Sequence, residues 1–234
     1  MKKIIAIVFT LVSISVYGQE KFSSEAMDKE LEKIISFKYK YEAMGNKVWA
    51  KSLSKEFPLD DNGSIKHEYI ISYPDSLSIE EIMDKTVQWT NYQFSSTNAI
   101  QSISRESGSE AIVISTTLGS IAQVSVVGIF YAKTAKILAD IDIIIRFKEG
   151  RLKITSIVRH YTYISGDSLM VGKNKLVAPN CAYPFGENKD IKGLADKNLC
   201  STAFINATAE TIGMCVEYKA YLNKEFGKET EEDW

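Results

Sequence analysis

From Lys136 to Lys148 the chain alternates with a period of two: Ile137, Ala139, Ile141, Ile143, Ile145 and Phe147 hold one parity, and Lys136, Asp140, Asp142, Arg146 and Lys148 the other. Successive side chains of a strand point to opposite faces, so this pattern demands a sheet with one buried and one wet face. Glu149-Gly150 supplies a two-residue turn, and a second alternating run follows. Placing Lys148 opposite Arg151 sets Phe147 by Leu152, Ile145 by Ile154 and Ile141 by Val158, each an apolar pair. The same register puts Ala139 opposite His160 on the buried face and Asp140 opposite Arg159 on the wet face, as a cross-strand ion pair. A chain holding this hairpin is committed to an antiparallel sheet whose apolar face needs a cover.

Other segments supply that cover and the remaining strands. Residues 19–56 read as an N-terminal helical segment, with Met27, Leu31, Ile34 and Ile35 among its apolar positions and a break at Gly45-Asn46. Phe57 to Gly63 is a turn; Asp60, Asn62 and Gly63 resemble part of a calcium loop, but Pro58 and Tyr69 stand at its first and last ligand positions and exclude it. Ile65, His67, Tyr69, Ile71 and Tyr73 form one face of a strand that Pro74 stops. Ser78-Ile79-Glu80-Glu81 is a capping box opening a helix to about Phe94, with Ile79, Met83 and Val87 as its stripe and Ile82 and Trp89 beside it. Strands are expected at 99–105, 110–118 and 121–131. Across 165–200, Gly166, Gly172, Pro179, Pro184, Gly186 and Gly193 interrupt any period, so an irregular loop, a lid or binding loop, is expected. A helix over 201–227 and an acidic tail over 228–234 close the chain. The fold class is α+β: an antiparallel meander sheet with helices packed on one face.

The first residues carry an address. Lys2 and Lys3 precede an apolar run from Ile4 to Val16, and small Gly18 stands before polar Gln19-Glu20. This is the pattern of a signal peptide over 1–18, cleaved after Gly18. The run falls short of the about 20 apolar residues a membrane span needs, and no later run reaches that length, so no transmembrane anchor is expected in the mature chain. The implied location is periplasmic or secreted. That compartment permits a disulfide, and of Cys181, Cys200 and Cys215 the first two flank a polar loop while Cys215 lies in a helical pattern; Cys181 with Cys200 is the expected bridge. The balance of 28 basic against 30 acidic side chains offers no electrostatic footprint for nucleic acid or an anionic membrane, so no nucleic-acid partner is expected.

Phe57-Pro58-Leu59-Asp60 ahead of a strand, the helix carrying Trp89, and the turn Lys148-Glu149-Gly150-Arg151 followed by Leu152, Ile154 and Tyr161 together resemble a known family. It is the domain of unknown function with a TBP-like fold found in exported proteins of Bacteroides and relatives. The resemblance covers about 57–164 and implies a TBP-like β-α-β-β-β-β order. It brings no catalytic residues, and a fold name confers no function. Asp75-Ser76-Leu77 and Asp167-Ser168-Leu169 also resemble the Asp-Ser-aliphatic sites at which such bacteria O-glycosylate exported proteins.

Chemistry-bearing motifs are few. There is no G-x-S-x-G elbow, HExxH, Walker loop or G-x-G-x-x-G fingerprint, so no cofactor and no metal are expected. His67 and His160 are the only imidazoles, and both sit on inward strand faces, where each reads first as a satisfied core or rim residue; the alternative is that they converge on one cavity, where a hydrolase of envelope material would use one of them. Asp140 and Asp142, with Arg146 and Arg159 nearby, read as an ion-pair ladder. Arg159, Tyr161 and Tyr163 share the outer face of the last strand of the hairpin beside the irregular loop, the arrangement of a ligand-binding surface. The leading expectation is a non-catalytic envelope protein binding a partner protein, a glycan or a small apolar ligand. The alternatives are the hydrolase and an accessory subunit docking through its N-terminal helices.

Overall fold

The structure, a computed structural model of the chain, describes residues 21–42, 59–61, 64–94, 100–105, 110–127, 132–167, 170–177 and 194–227. The elements run α1 (Glu25–Glu42), β1 (Lys66–Ser72), α2 (Ile79–Phe94), β2 (Ile100–Arg105), β3 (Ala111–Val127), β4 (Ala132–Lys148), β5 (Arg151–Asp167), β6 (Met170–Val177) and α3 (Leu194–Gly227). The strands form one antiparallel sheet in the order β1-β5-β4-β3-β2, and β6 also pairs with β5. β1 takes the Arg151–Ile157 part of the β5 edge and β6 the His160–Asp167 part, so the two lie end to end along one strand.

The hairpin of β4 and β5 is the centre of the sheet. Ile137, Ala139, Ile141, Ile143, Ile145 and Phe147 are all buried, against Leu152, Ile154, Val158 and the helices, while Arg146 and Lys148 are exposed. Gly150 turns at a φ of 69°, a conformation that favours glycine, and its missing Cβ leaves room for the Asp75 carboxylate. The expected register holds from Lys148–Arg151 to Ile141–Val158. Beyond it the pairing slips by one residue: Asp140 lies opposite His160 and Ala139 opposite Tyr161, with Arg159 the extra residue of a β-bulge. The expected pairings of Ala139 with His160 and Asp140 with Arg159 are therefore corrected. Because the side-chain period is two, one inserted residue sends His160 to the wet face and Tyr161 to the buried one.

Two more expectations change. The strands expected at 110–118 and 121–131 are a single β3, bulged between Leu118 and Ala122, and the Asn206 side chain of α3 donates to the Ile121 carbonyl there. The stretch 165–200, expected to be an irregular loop, instead completes β5, adds β6 and begins α3; the residues between β6 and α3 lie outside the described residues. Gly166 and Gly172 sit within strands, where an alternation partly carried by Lys and Asn gives no apolar period to read.

The helices cover one face. Ser78 and Glu81 form the expected capping box, the Glu81 amide donating to Ser78 Oγ at 3.2 Å and the Ser78 amide to Glu81 Oε2 at 3.3 Å. The buried stripe of α2 is Ile82, Met83, Thr86, Trp89, Thr90 and Phe94, rotated from the expected one, and Val87 is exposed. Thr86 is tolerated inside because its hydroxyl bonds the Ile82 carbonyl at 2.7 Å and the Tyr218 hydroxyl of α3 at 2.6 Å. α1 packs on β1 and α3. The Phe22 ring sits between Tyr73 (5.5 Å) and Phe226 (5.6 Å), the Asn223 amide clamps the Phe22 backbone N–H and C=O at 2.8 Å each, and Ser23 bridges Ser72. Burying Phe22 and Met27 completely contributes about 1.5–3 kcal/mol each. The expected break at Gly45-Asn46 lies outside the described residues.

Candidate functional site

Two polar constellations stand out, one on each face of the sheet. On the helix side, the strand parity that buries Ile65 and Ile71 also buries His67 and Tyr69 beneath α1. The Tyr69 hydroxyl donates to Glu30 Oε2 at 2.7 Å. With that proton committed, His67 donates from Nδ1, which lies 3.2 Å from the Tyr69 oxygen and 3.3 Å from Glu30 Oε1. Nε2 is then buried with no hydrogen-bond partner among the described residues. Burial alone would raise the Glu30 carboxyl, but the bonds from His67 and Tyr69, helped by the Lys33 charge, hold it below the usual carboxylate range. Burial, then the Glu30 carboxylate, pushes the Tyr69 phenol up.

Cys215 of α3 completes this buried neighbourhood. Burial pushes its thiol up to about 12, against a smaller opposing pull from the Ser156 hydroxyl. A thiol held protonated and fully enclosed is no nucleophile at neutral pH. Nearby, Lys219 is buried and takes both Asp28 oxygens, at 2.8 and 3.0 Å. The chemistry of this side is therefore structural: carboxylates of α1 satisfy polar groups of β1 and α3 that would otherwise be stranded.

On the other side, the bulge organises a ladder. Asp142 Oδ2 meets Arg159 Nε at 3.0 Å while its other oxygen accepts from the Ser115 hydroxyl. One rung along, Asp140 meets His160 Nε2 and accepts from the Thr117 hydroxyl. Each carboxylate is held by groups from both neighbouring strands, so the ladder is preorganised, and its side chains are half-buried against one another on a sheet face that no described helix covers.

The candidate residues are thus sorted by the sheet itself. His67 lies on the helix side as expected, but His160 faces the opposite way, so the two imidazoles cannot share a cavity; that convergence is corrected by the Arg159 bulge. Arg159 is exposed on the outer face as expected, whereas Tyr161 is fully buried on the helix side and is no surface residue. Tyr163 holds the register position opposite Ile137, and its side chain lies outside the described residues. Cys181 also lies outside them, and Cys200 is described only as part of α3, so no disulfide between the two is seen. Among the described residues no group of three metal-ligating side chains forms, and no helix is long and apolar enough to cross a membrane. Sequence reasoning missed Glu30, Asp28 and Lys219, whose partners lie on other elements of the fold. It also missed that Ser115 and Thr117 anchor the acidic pair, although their parity on β3 signalled it.

The class defined by these features is an α+β domain: one antiparallel sheet with helices on a single face. No family model matches the chain, and no curated protein matches it. Two solved structures are similar. One is a TBP-like protein from Parabacteroides distasonis ATCC 8503, at 14% identity and a TM-score of 0.41, over 70% of this chain and 96% of that one. The other is a DUF4468 family protein from Bacteroides ovatus ATCC 8483, at 11% identity and a TM-score of 0.40, over 76% of this chain and 94% of that one.

Proposed function

We propose that the protein is an exported, non-catalytic binding domain that holds a partner of the cell envelope on the helix-free face of its sheet. The observation that carries this reading is the Asp140–Asp142–Arg159–His160 ladder. Its charged groups are fixed by Ser115 and Thr117 on a face left open among the described residues, which is how a preorganised recognition surface is built. Cleavage of residues 1–18 would place the chain in the periplasm or outside the cell. A hydrolase is less well supported, because His67 is enclosed beneath α1 and His160 is held against Asp140 as one rung of the ladder. Docking through the N-terminal helices is less well supported too, since Phe22, Met27 and Glu30 are spent within the chain.

Hydroxyl-radical footprinting of the mature protein, with and without detergent-solubilised envelope from its own cells, tests this. Protection of Ile157, Arg159 and His160 with α1 and α3 unchanged is the expected result. Protection confined to the helices would overturn the reading.

A further inference from the structure

The hairpin end of the open face carries a charge arrangement that sheet physics disfavours. Arg146 lies directly opposite Lys153, and the next outward pair, Lys148 opposite Arg151, is again two cations. Like charges directly opposed across an antiparallel pair are destabilising. Lys66 stands on the same face, and within this group Glu68 is the single carboxylate, paired to Lys153 at 2.9 Å and to Lys66 at 3.3 Å. Arg146, Lys148 and Arg151 make no ion pair among the described residues. Beside the cations, Ile70 lies opposite Lys153 with 55% of its surface exposed, the largest exposure of any aliphatic side chain described.

Glu68 apart, the carboxylates of this end act on Tyr73. Burial, then the carboxylates of Glu110, Asp75 and Glu149, push the Tyr73 phenol up, and the Tyr73 ring belongs to the helix-facing side. An overall charge of −2 therefore conceals a cluster of cations on the outer face of this sheet end. The cations form a flat grid, about 5 Å across strands and about 7 Å along them.

We infer that this grid is a docking site for an acidic polysaccharide, its anionic groups lying along the rows of Arg146 and Lys148 and of Arg151 and Lys153 while Ile70 takes the apolar face of a sugar ring. The inference rests on the open-face reading and names the partner class for it. Charge complementarity selects an anion, because only an anion relieves two stacked cation pairs. Among the described residues Ile70 is the large aliphatic side chain exposed here, and it lies within a strand, which suits the face of a sugar ring better than insertion into lipid.

Titration of the full mature protein with hexagalacturonate at low salt, followed by fluorescence anisotropy, tests it. Saturable binding that weakens steeply with added salt is expected. In a Lys148→Ser/Arg151→Ser variant affinity falls by about tenfold, while the melting temperature holds or rises because an opposed pair is gone. Arg146→Ser alone gives the same direction should the double variant fold poorly. No binding, or binding that neither variant weakens, overturns the inference, as does binding of phosphatidylglycerol vesicles without the oligouronate. If hexagalacturonate fails to bind the unmodified protein while envelope still protects Arg159 in it, the polysaccharide is wrong and the open-face reading stands.

Discussion

The Tyr69 hydroxyl of β1 donates to the Glu30 carboxylate of α1 at 2.7 Å, and the same carboxylate takes the Nδ1 proton of His67 at 3.3 Å. One side chain thereby satisfies two buried donors and fixes a helix to a sheet edge 39 residues away in sequence. Glu30→Ala removes both acceptors and strands the donors, so it should lower unfolding free energy by about 2–4 kcal/mol, more than Tyr69→Phe at about 1 kcal/mol. Urea unfolding followed by far-UV circular dichroism measures both, and equal losses would show that the pair acts alone, without His67.

The pH dependence should divide two glutamates. Glu30 is held below its ordinary value of 4.5, so the folded state releases its proton more readily than the unfolded one; the stability it contributes is complete above that value and is lost as pH falls beneath it. Glu217 behaves oppositely. Burial, then the Glu210 charge, raise its carboxyl against the Gln93 bond, so the folded state holds the proton longer and stability falls as pH rises through and above 4.5. Glu217→Gln should therefore stabilise the protein at pH 7, and Glu30→Gln should flatten the acid limb below pH 4.5. Chemical denaturation across pH 3 to 8 reads both slopes, and the opposite sign for either residue would refute the assignment.

Deleting Arg159 should be tolerated although it lies in the middle of a 17-residue strand. The deletion removes the bulge and leaves His160 opposite Asp140 and Tyr161 opposite Ala139, so every side chain keeps its face. The loss of the Asp142 ion pair and of local twist should amount to about 1 kcal/mol. Deleting Thr162 instead flips the rest of β5 and should prevent folding. Melting curves of the two deletions decide it; equal damage would mean that the bulge is needed for more than register.

Tyr161→Ser should lower stability by about 3–5 kcal/mol, as expected for emptying a large, fully enclosed site. Arg159→Ser, one side of the bulge away and exposed, should change it by less than about 1 kcal/mol. A small loss for Tyr161→Ser would return that ring to the surface.

How much was legible can be traced residue by residue. The hairpin from Lys148–Arg151 to Ile141–Val158 was readable because a period of two and a glycine turn leave one register that pairs apolar with apolar. The capping box of Ser78 and Glu81 was readable because cap chemistry is local to one turn of helix. Past Val158 the sequence runs Arg159-His160-Tyr161-Thr162-Tyr163, and either parity puts amphipathic rings on a face that accepts them, so local pattern has no preference. Glycine and lysine in β6 hid a strand whose stability comes from its neighbour's hydrogen bonds and not from its own side chains.

The sequence by itself determined an α+β domain, an antiparallel sheet with one wet face, and most of its strand boundaries, because these follow from periods and turns that involve a few adjacent residues. Only the tertiary structure decided where the extra residue of β5 sits, and with it which of His160 and Tyr161 meets solvent. It also decided that Glu30 and Lys219 belong inside, and that the cations of β4 and β5 gather on one face. Each of these depends on what another part of the chain places opposite. A charge or a ring acquires its role from that partner, and residues such as Glu30 and Tyr69 become partners only once the chain has folded.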